Sequence, residues 1–312
     1  MTERRPDILS ALYSVYPEAA ILMNANTAHM VVEGQRMMSW QGIPSVDIEA
    51  EESEEAITIH IRVAEGVQVP NPIHSCVGLM ATHGAQHIRL HVELEPGSSA
   101  HILAHCLFPN AELVKHVMEA RVEVGEGAEL RHTEGHFYGP YGGIEVRPQA
   151  YVNVHPGGRY FSDFSLTSGR VGLLNVDYQV QVGDDAVAEI AIRVFGHATD
   201  EISVRVEMIL GGRNARGLIK TRVAVEDDAS SEVIGITHGK AEGARGHMDC
   251  TELVRDRAVA RAEPIVNVEH PLAKVTHEAA IGSVDQKQLE TLMAHGLTPD
   301  EAVDVIIMGL LR

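Results

Sequence analysis

The amino-acid sequence predicts a mainly β protein: a β-solenoid body with a small N-terminal cap and a C-terminal pair of helices. Three observations predict it. Runs such as ITIHIRV (57–63) alternate apolar and polar residues, which puts Ile57, Ile59, Ile61 and Val63 on one face of a strand. A step of two apolar residues closing on a turn of Gly, Pro or Asp recurs at 61, 92, 122, 152 and 180, a period near thirty. Helical periodicity is confined to the two ends of the chain. A β-sandwich with evenly spaced hairpins would give a similar texture and stands as the alternative architecture.

The cap comprises residues 1–56. Pro6-Asp7-Ile8-Leu9 opens an apolar pattern at helical spacing that runs through Leu12, Val15 and Tyr16, and Pro17 stops it. This predicts a small helical or mixed unit over 6–40. The acidic, turn-rich GIPSVDIEAEESEEA (42–56) predicts a loop into the body.

The solenoid body spans 57–282. Ile61-Arg62-Val63-Ala64-Glu65-Gly66 is echoed by Val92 to Gly97, Val122 to Gly127 and Val152 to Gly157, with looser copies at Val180 to Asp185 and Val223 to Asp228. Strands turned by Gly and Asp, without helices between them, favour stacked coils over helical repeats.

The helical hairpin spans 283–312. Ser283 and Gln286 have capping-box spacing, Leu289, Leu292 and Met293 share one face, and Gly296 stops the first helix. Thr298-Pro299-Asp300-Glu301 starts the second, with Thr298 as N-cap and Glu301 placed to reach back to it. Val303, Ile306, Ile307 and Leu310 follow on more than one face, which predicts burial against the chain's own body or against a partner.

Net charge is −19, from 44 acidic and 25 basic residues, which argues against nucleic acid and against an anionic membrane surface. No apolar run approaches a membrane span, and the first residues show no apolar segment or cleavage site from which a secretory leader would be expected. Three irregularly spaced cysteines make no disulfide framework, so a reducing, cytoplasmic setting is expected. No GxxxxGK[ST] loop, G-x-S-x-G elbow or CxxC pair is present, which excludes those routes to ATP hydrolysis, acyl transfer and structural zinc.

Eighteen histidines raise the prospect of a metal. His87 and His91 with nearby carboxylates would suit a cupin-like mononuclear iron enzyme, although their spacing departs from that pattern. His101, His105 and Cys106 in HILAHC are ambiguous between ligands and strand residues, and Cys76 suits a small buried hydrophobe. The remaining constellation is Cys250 with His277 and Glu278. Cys250 and His277 are separated by close to one repeat, and neighbouring coils lie about 4.8 Å apart. Thiolate and imidazole suit iron or an iron–sulfur cluster, but one thiol per chain calls for a second chain. A buried Cys beside a surface His-Glu pair is the bland alternative.

Residues 246–311, GHMDCTELVRDRAVARAEPIVNVEHPLAKVTHEAAIGSVDQKQLETLMAHGLTPDEAVDVIIMGLL, resemble the SufB/SufD family of iron–sulfur cluster assembly scaffolds, with His295 where the family usually has Arg. The resemblance implies a right-handed β-helix core, dimerisation through its last coils, and a C-terminal helical domain that docks a SufC-type ABC ATPase. It implies a non-enzymatic scaffold that builds a transient cluster and passes it to apo acceptor proteins. Cys250 matches the SufB cluster-site cysteine and His277-Glu278 the His-Glu pair, so the chain looks closer to SufB. A homodimer doing both jobs, or a SufB/SufD-like heterodimer, is implied; a SufD-like brace of a separate SufB is disfavoured by Cys250 and Glu278. The partner-binding face would include Leu289, Leu292, Met293, Val303, Ile306, Ile307 and Leu310. Glu134-Gly135-His136 matches the family's "EGC" step, with His136 in place of the cysteine proposed to receive sulfur.

Overall fold

The structure is a computed structural model that describes residues 8–15, 24 and 26–312. Its body is two long sheets facing each other. One sheet runs, in order, Lys274–Gly282, Arg245–Val254, Arg216–Val225, Val187–Gly196, Arg159–Leu166, Glu129–Tyr138, Ser99–Phe108, Ile73–Gly78, His29–Glu33 and Arg36–Gln41. The other runs Val259–Val268, Ser230–Gly239, Glu201–Leu210, Gly172–Val182, Ile144–Val154, Leu113–Val124, His83–Leu94, Ile57–Val63 and Val46–Glu52. The chain alternates between the sheets, and from Ile57 onward each strand pairs in parallel with the equivalent strand of the next coil. This is the β-solenoid and not the sandwich.

The repeat has a physical basis at one corner. Gly66, Gly97, Gly127 and Gly157 all have positive φ, near +65°, and Asp185 and Asn214 continue the column at φ 54° and 57°. The left-handed conformation favours Gly, and Asp and Asn tolerate it. Each of these amides bonds to the next coil, as in Gly97 N to Glu126 O at 2.8 Å and Gly127 N to Pro156 O at 3.0 Å. The copy at Val223 to Asp228 belongs elsewhere. Val225 ends a strand of the first sheet, and Asp227 turns the opposite corner beside Ala198 and Asp256.

The N-terminal region departs from the expected helical cap and loop. Residues 29–52 form three strands that extend both sheets. His29–Glu33 is buried almost throughout and pairs in parallel with Ile73–Gly78. In Val46–Glu52 the residues Val46 and Ile48 face inward while Asp47 and Glu49 face out, an alternation masked by the density of acidic residues. Helix α1 (Ile8–Val15) is present, and Ile8 and Leu12 cover Val31, Cys76 and Leu107 on the outside of the first sheet. The expected start at Pro6 and stop at Pro17 lie outside the described residues.

Helices α2 (Gln286–Ala294) and α3 (Pro299–Leu310) follow the last coil. The N-cap of α2 is Asp285 rather than Ser283; its carboxylate accepts from Gln288 N at 2.8 Å. Thr298 and Glu301 form the expected capping box on α3. Val303, Ile307 and Leu311 pack against Phe195, Ala224 and Leu253 on the outer face of the solenoid. Val303 and Ile307 are therefore occupied by the chain's own body, because an apolar helix face beside an apolar sheet face buries against it first. Leu289, Ile306 and Leu310 fringe that contact, while Met293, Val305 and Met308 remain exposed. No helix among the described residues is long and apolar enough to cross a membrane.

Candidate functional site

The last coil is built differently from the others. Among the described residues, Lys274–Gly282 and Val259–Val268 each end their sheet, so each presents one unpaired backbone edge. In earlier coils most inward side chains are buried. Here the alternation persists in register but the cover is missing: Val268 is 50% and Ile281 48% exposed. Apolar residues at an open sheet edge are the pattern of a surface awaiting a partner strand or cap.

The strand register places the predicted ligands. Met248 pairs with His277, Asp249 with Glu278 and Cys250 with Ala279. Paired residues of parallel strands leave the sheet on the same side. Met248 and Cys250 are buried in the core, so Cys250 and His277 belong to the inner face. Glu278 belongs to the outer face, with Asp249, whose carboxylate pairs with Arg222 at 2.5 Å. Cys250, His277 and Glu278 thus lie within one coil step but do not converge within a single chain. Burial raises the Cys250 thiol above its ordinary pKa, and the neighbouring Thr221 hydroxyl pulls it back in part.

A carboxylate missed at the sequence level shares that inner face. Glu252 is buried two residues after Cys250 and accepts from Ser231 Oγ at 2.5 Å. Only the alternation of the strand could have picked it out, since nothing else in TELV marks it as a ligand.

The cupin-like grouping does not form. His87 and His91 project from the outer face of the solenoid, where His87 Nε2 lies 3.2 Å from Glu119 and His91 stacks on His60 at 4.6 Å. His101 bonds to Thr133 Oγ1 at 3.0 Å.

The structure instead gathers Cys106, Glu134 and His136 inside the solenoid, the one group of three potential metal ligands among the described residues. Cys106 and His136 are register partners on adjacent coils. Cys106 Sγ lies 3.4 Å from Glu134 Oε1, and His136 Nε2 lies 3.0 Å from the same oxygen. Tyr138 Oη bonds to His136 Nδ1, and Phe164 packs on the imidazole at 4.3 Å. Burial pushes the Glu134 carboxyl up, but the His136 ring and hydrogen bonds outweigh it and leave it at about 2. Burial and Glu134 together push the Cys106 thiol well above its ordinary range. The signal for this group was in the sequence: Cys106 and His136 are one repeat apart.

Residues 78–310 match the family model described as SUF system FeS cluster assembly, SufBD core domain. The chain belongs to the SufBD family. It is 34% identical over 99% of its length to an iron-sulfur cluster assembly SufBD family protein of Methanocaldococcus jannaschii, covering 98% of that protein. It is 30% identical to a SufBD family protein of Pyrococcus horikoshii, covering 96% of this chain and 93% of that one. A chloroplastic SufBD family protein of Arabidopsis thaliana is 25% identical over 80% of this chain and 46% of its own length. SufBD membership implies a part in iron–sulfur cluster assembly by the SUF system.

Proposed function

We propose that this chain is a non-enzymatic scaffold on which a transient iron–sulfur cluster is assembled between two copies and then handed to apo acceptor proteins. The observation that carries the proposal is the uncovered last coil, with Cys250 and His277 on its inner face and two free sheet edges beside them. Joining two such ends would cover the exposed Val268 and Ile281 and bring two thiols and two imidazoles together. The cluster is cargo here. Mixed thiolate and imidazole ligation at an interface suits a cluster that must leave. Glu278, on the outer face, acts on assembly intermediates in this scheme and not as an inner-face ligand.

A SufC-type ATPase docks on α2 and α3, through Leu289, Leu292 and Met293 with the fringe of Ile306 and Leu310. Its nucleotide states alter the dimer only if they make different contacts with these helices. His136 stands where a sulfur-receiving cysteine is expected and offers no thiol. The facing Cys106 is held as a poorly nucleophilic thiol by its surroundings, so sulfur reaches the cluster by another route.

Anaerobic reconstitution with iron and sulfide tests the proposal, with the mass in solution measured alongside. A dimer with a visible cluster is expected. A chain that stays monomeric and colourless, or a Cys250→Ala variant that reconstitutes as well as the wild type, overturns it.

A further inference from the structure

We infer that Cys106, Glu134 and His136 form a buried site for one first-row divalent cation of borderline softness, Zn²⁺ or Fe²⁺, inside the solenoid. The site is separate from the cluster position. The strands Arg159–Leu166, Val187–Gly196 and Arg216–Val225 stand between Glu129–Tyr138 and Arg245–Val254. Four inter-strand steps of about 4.8 Å amount to roughly 19 Å.

Geometry supports the site. Metal–ligand distances of about 2.0–2.3 Å in a tetrahedron place ligand atoms roughly 3.3–3.7 Å apart. The Sγ to Oε1 and Nε2 to Oε1 separations of 3.4 and 3.0 Å need little adjustment to meet this. Thiolate, imidazole and carboxylate together are a donor set for such ions. Tyr138 holds the other imidazole nitrogen, as an outer partner of a ligating histidine does, and leaves Nε2 facing the thiol and carboxylate. A cavity of about 20 Å³ lies beside Glu134, lined also by His132, Ser162, Tyr160 and Tyr178. It is large enough for one water, a candidate fourth ligand on the carboxylate side of the site.

Charge supports it as well. A carboxylate and a thiol facing each other in the core are costly to ionise together. A divalent cation neutralises one thiolate and one carboxylate, and binding expels the thiol proton and leaves a neutral His136 with its ring proton on Nδ1, toward Tyr138. The ion would then tie the Ser99–Phe108 and Glu129–Tyr138 coils together.

The test is to produce the full chain in zinc-poor medium supplemented with Co²⁺ and purify it anaerobically. The expected protein carries about one cobalt per chain and shows a thiolate-to-cobalt charge-transfer band. Cys250→Ala should keep both, which separates this site from the proposed cluster site. Cys106→Ala should lose the band and Glu134→Gln at least tenfold of the bound cobalt, with folding checked by circular dichroism. Should Cys106→Ala fail to fold, Glu134→Gln and His136→Gln decide. A wild-type chain without cobalt, a band that survives Cys106→Ala, or one lost in Cys250→Ala overturns the inference.

Discussion

Cys250 and His277 leave adjacent strands on the same face of the solenoid, diagonal neighbours in register, while Glu278 leaves on the other. The two halves of the His-Glu pair therefore have unequal access to the Cys250 thiol. In reconstitution, Cys250→Ala should retain less than about a tenth of the wild-type cluster absorbance, a buried thiolate having no substitute nearby. His277→Ala should also lose most of it. Glu278→Gln should slow cluster formation yet reach at least about half of the final absorbance. Equal loss in Glu278→Gln and His277→Ala would mean that both side chains ligate directly, contrary to the strand alternation.

Helix α3 has one face buried on the solenoid and another left exposed, which under the proposed function receives the ATPase. Ile307 is 1% exposed against Phe195, Ala224 and Leu253, whereas Met308 is 42% exposed. Truncating Ile307 to Ala should cost roughly 2–5 kcal/mol of packing. The loss falls on the docked helices, visible as faster amide exchange in 286–311 with little change in the solenoid. Met308→Ala should change stability by less than about 0.5 kcal/mol and weaken ATPase binding. Unaltered ATPase affinity in Met308→Ala and Met293→Ala together would place the partner elsewhere.

The coil repeat was legible because one corner needs a left-handed residue in every turn, and Gly66, Gly97, Gly127 and Gly157 write that need into the chain. Asp227 shows the limit: the opposite corner makes the same demand and produces the same local pattern, so the copy at 223 cannot be assigned to a corner from sequence. The strand Val46–Glu52 was illegible because an exposed edge beside the acidic run 51–55 reads as loop. At the site, the period located Cys250 next to His277, but adjacency in sequence concealed that Glu278 points away. For Cys106 the same period carried the information; its strand HILAHC offered three candidate ligands, and only the pleat selects the thiol for the interior while His101 and His105 leave on the other face.

Asp200 fastens the second corner of the stack. It is fully buried and its Oδ1 accepts from Arg170 Nη2 at 2.9 Å and Gly172 N at 3.2 Å, while Oδ2 accepts from His197 N at 3.1 Å. Removing the carboxylate leaves a half-buried guanidinium and two amides without their acceptor. Asp200→Ala should cost about 3 kcal/mol, measured by urea unfolding at pH 7.5. Asp200→Asn, which keeps an acceptor oxygen but loses the charge, should cost less. A loss below about 1 kcal/mol in the Ala variant would show that water replaces these bonds, as at an exposed turn.

Histidines buried on the outer face of the first sheet predict that the protein loses stability in acid. His74 is 3% exposed, and burial lowers its pKa, with His29 and His101 lowering it further. Among the described residues its ring also faces His105, at 6.2 Å, whose own pKa is pushed down to about 4 by burial and by His74. The unfolded chain takes up a proton on His74 as pH falls through about 6.5, while the folded chain does so only at lower pH. The folded state is thus fully favoured above that pH and loses ground below it, by at most about 2 kcal/mol per such histidine at pH 5. The urea midpoint should fall between pH 7.5 and pH 5. His74→Leu, close in size and unable to charge, should lose part of that fall, while the pH 7.5 midpoint moves by less than the acid shift it removes. A variant that keeps the full wild-type pH dependence would show that His74 titrates alike in both states and that the sensitivity arises elsewhere.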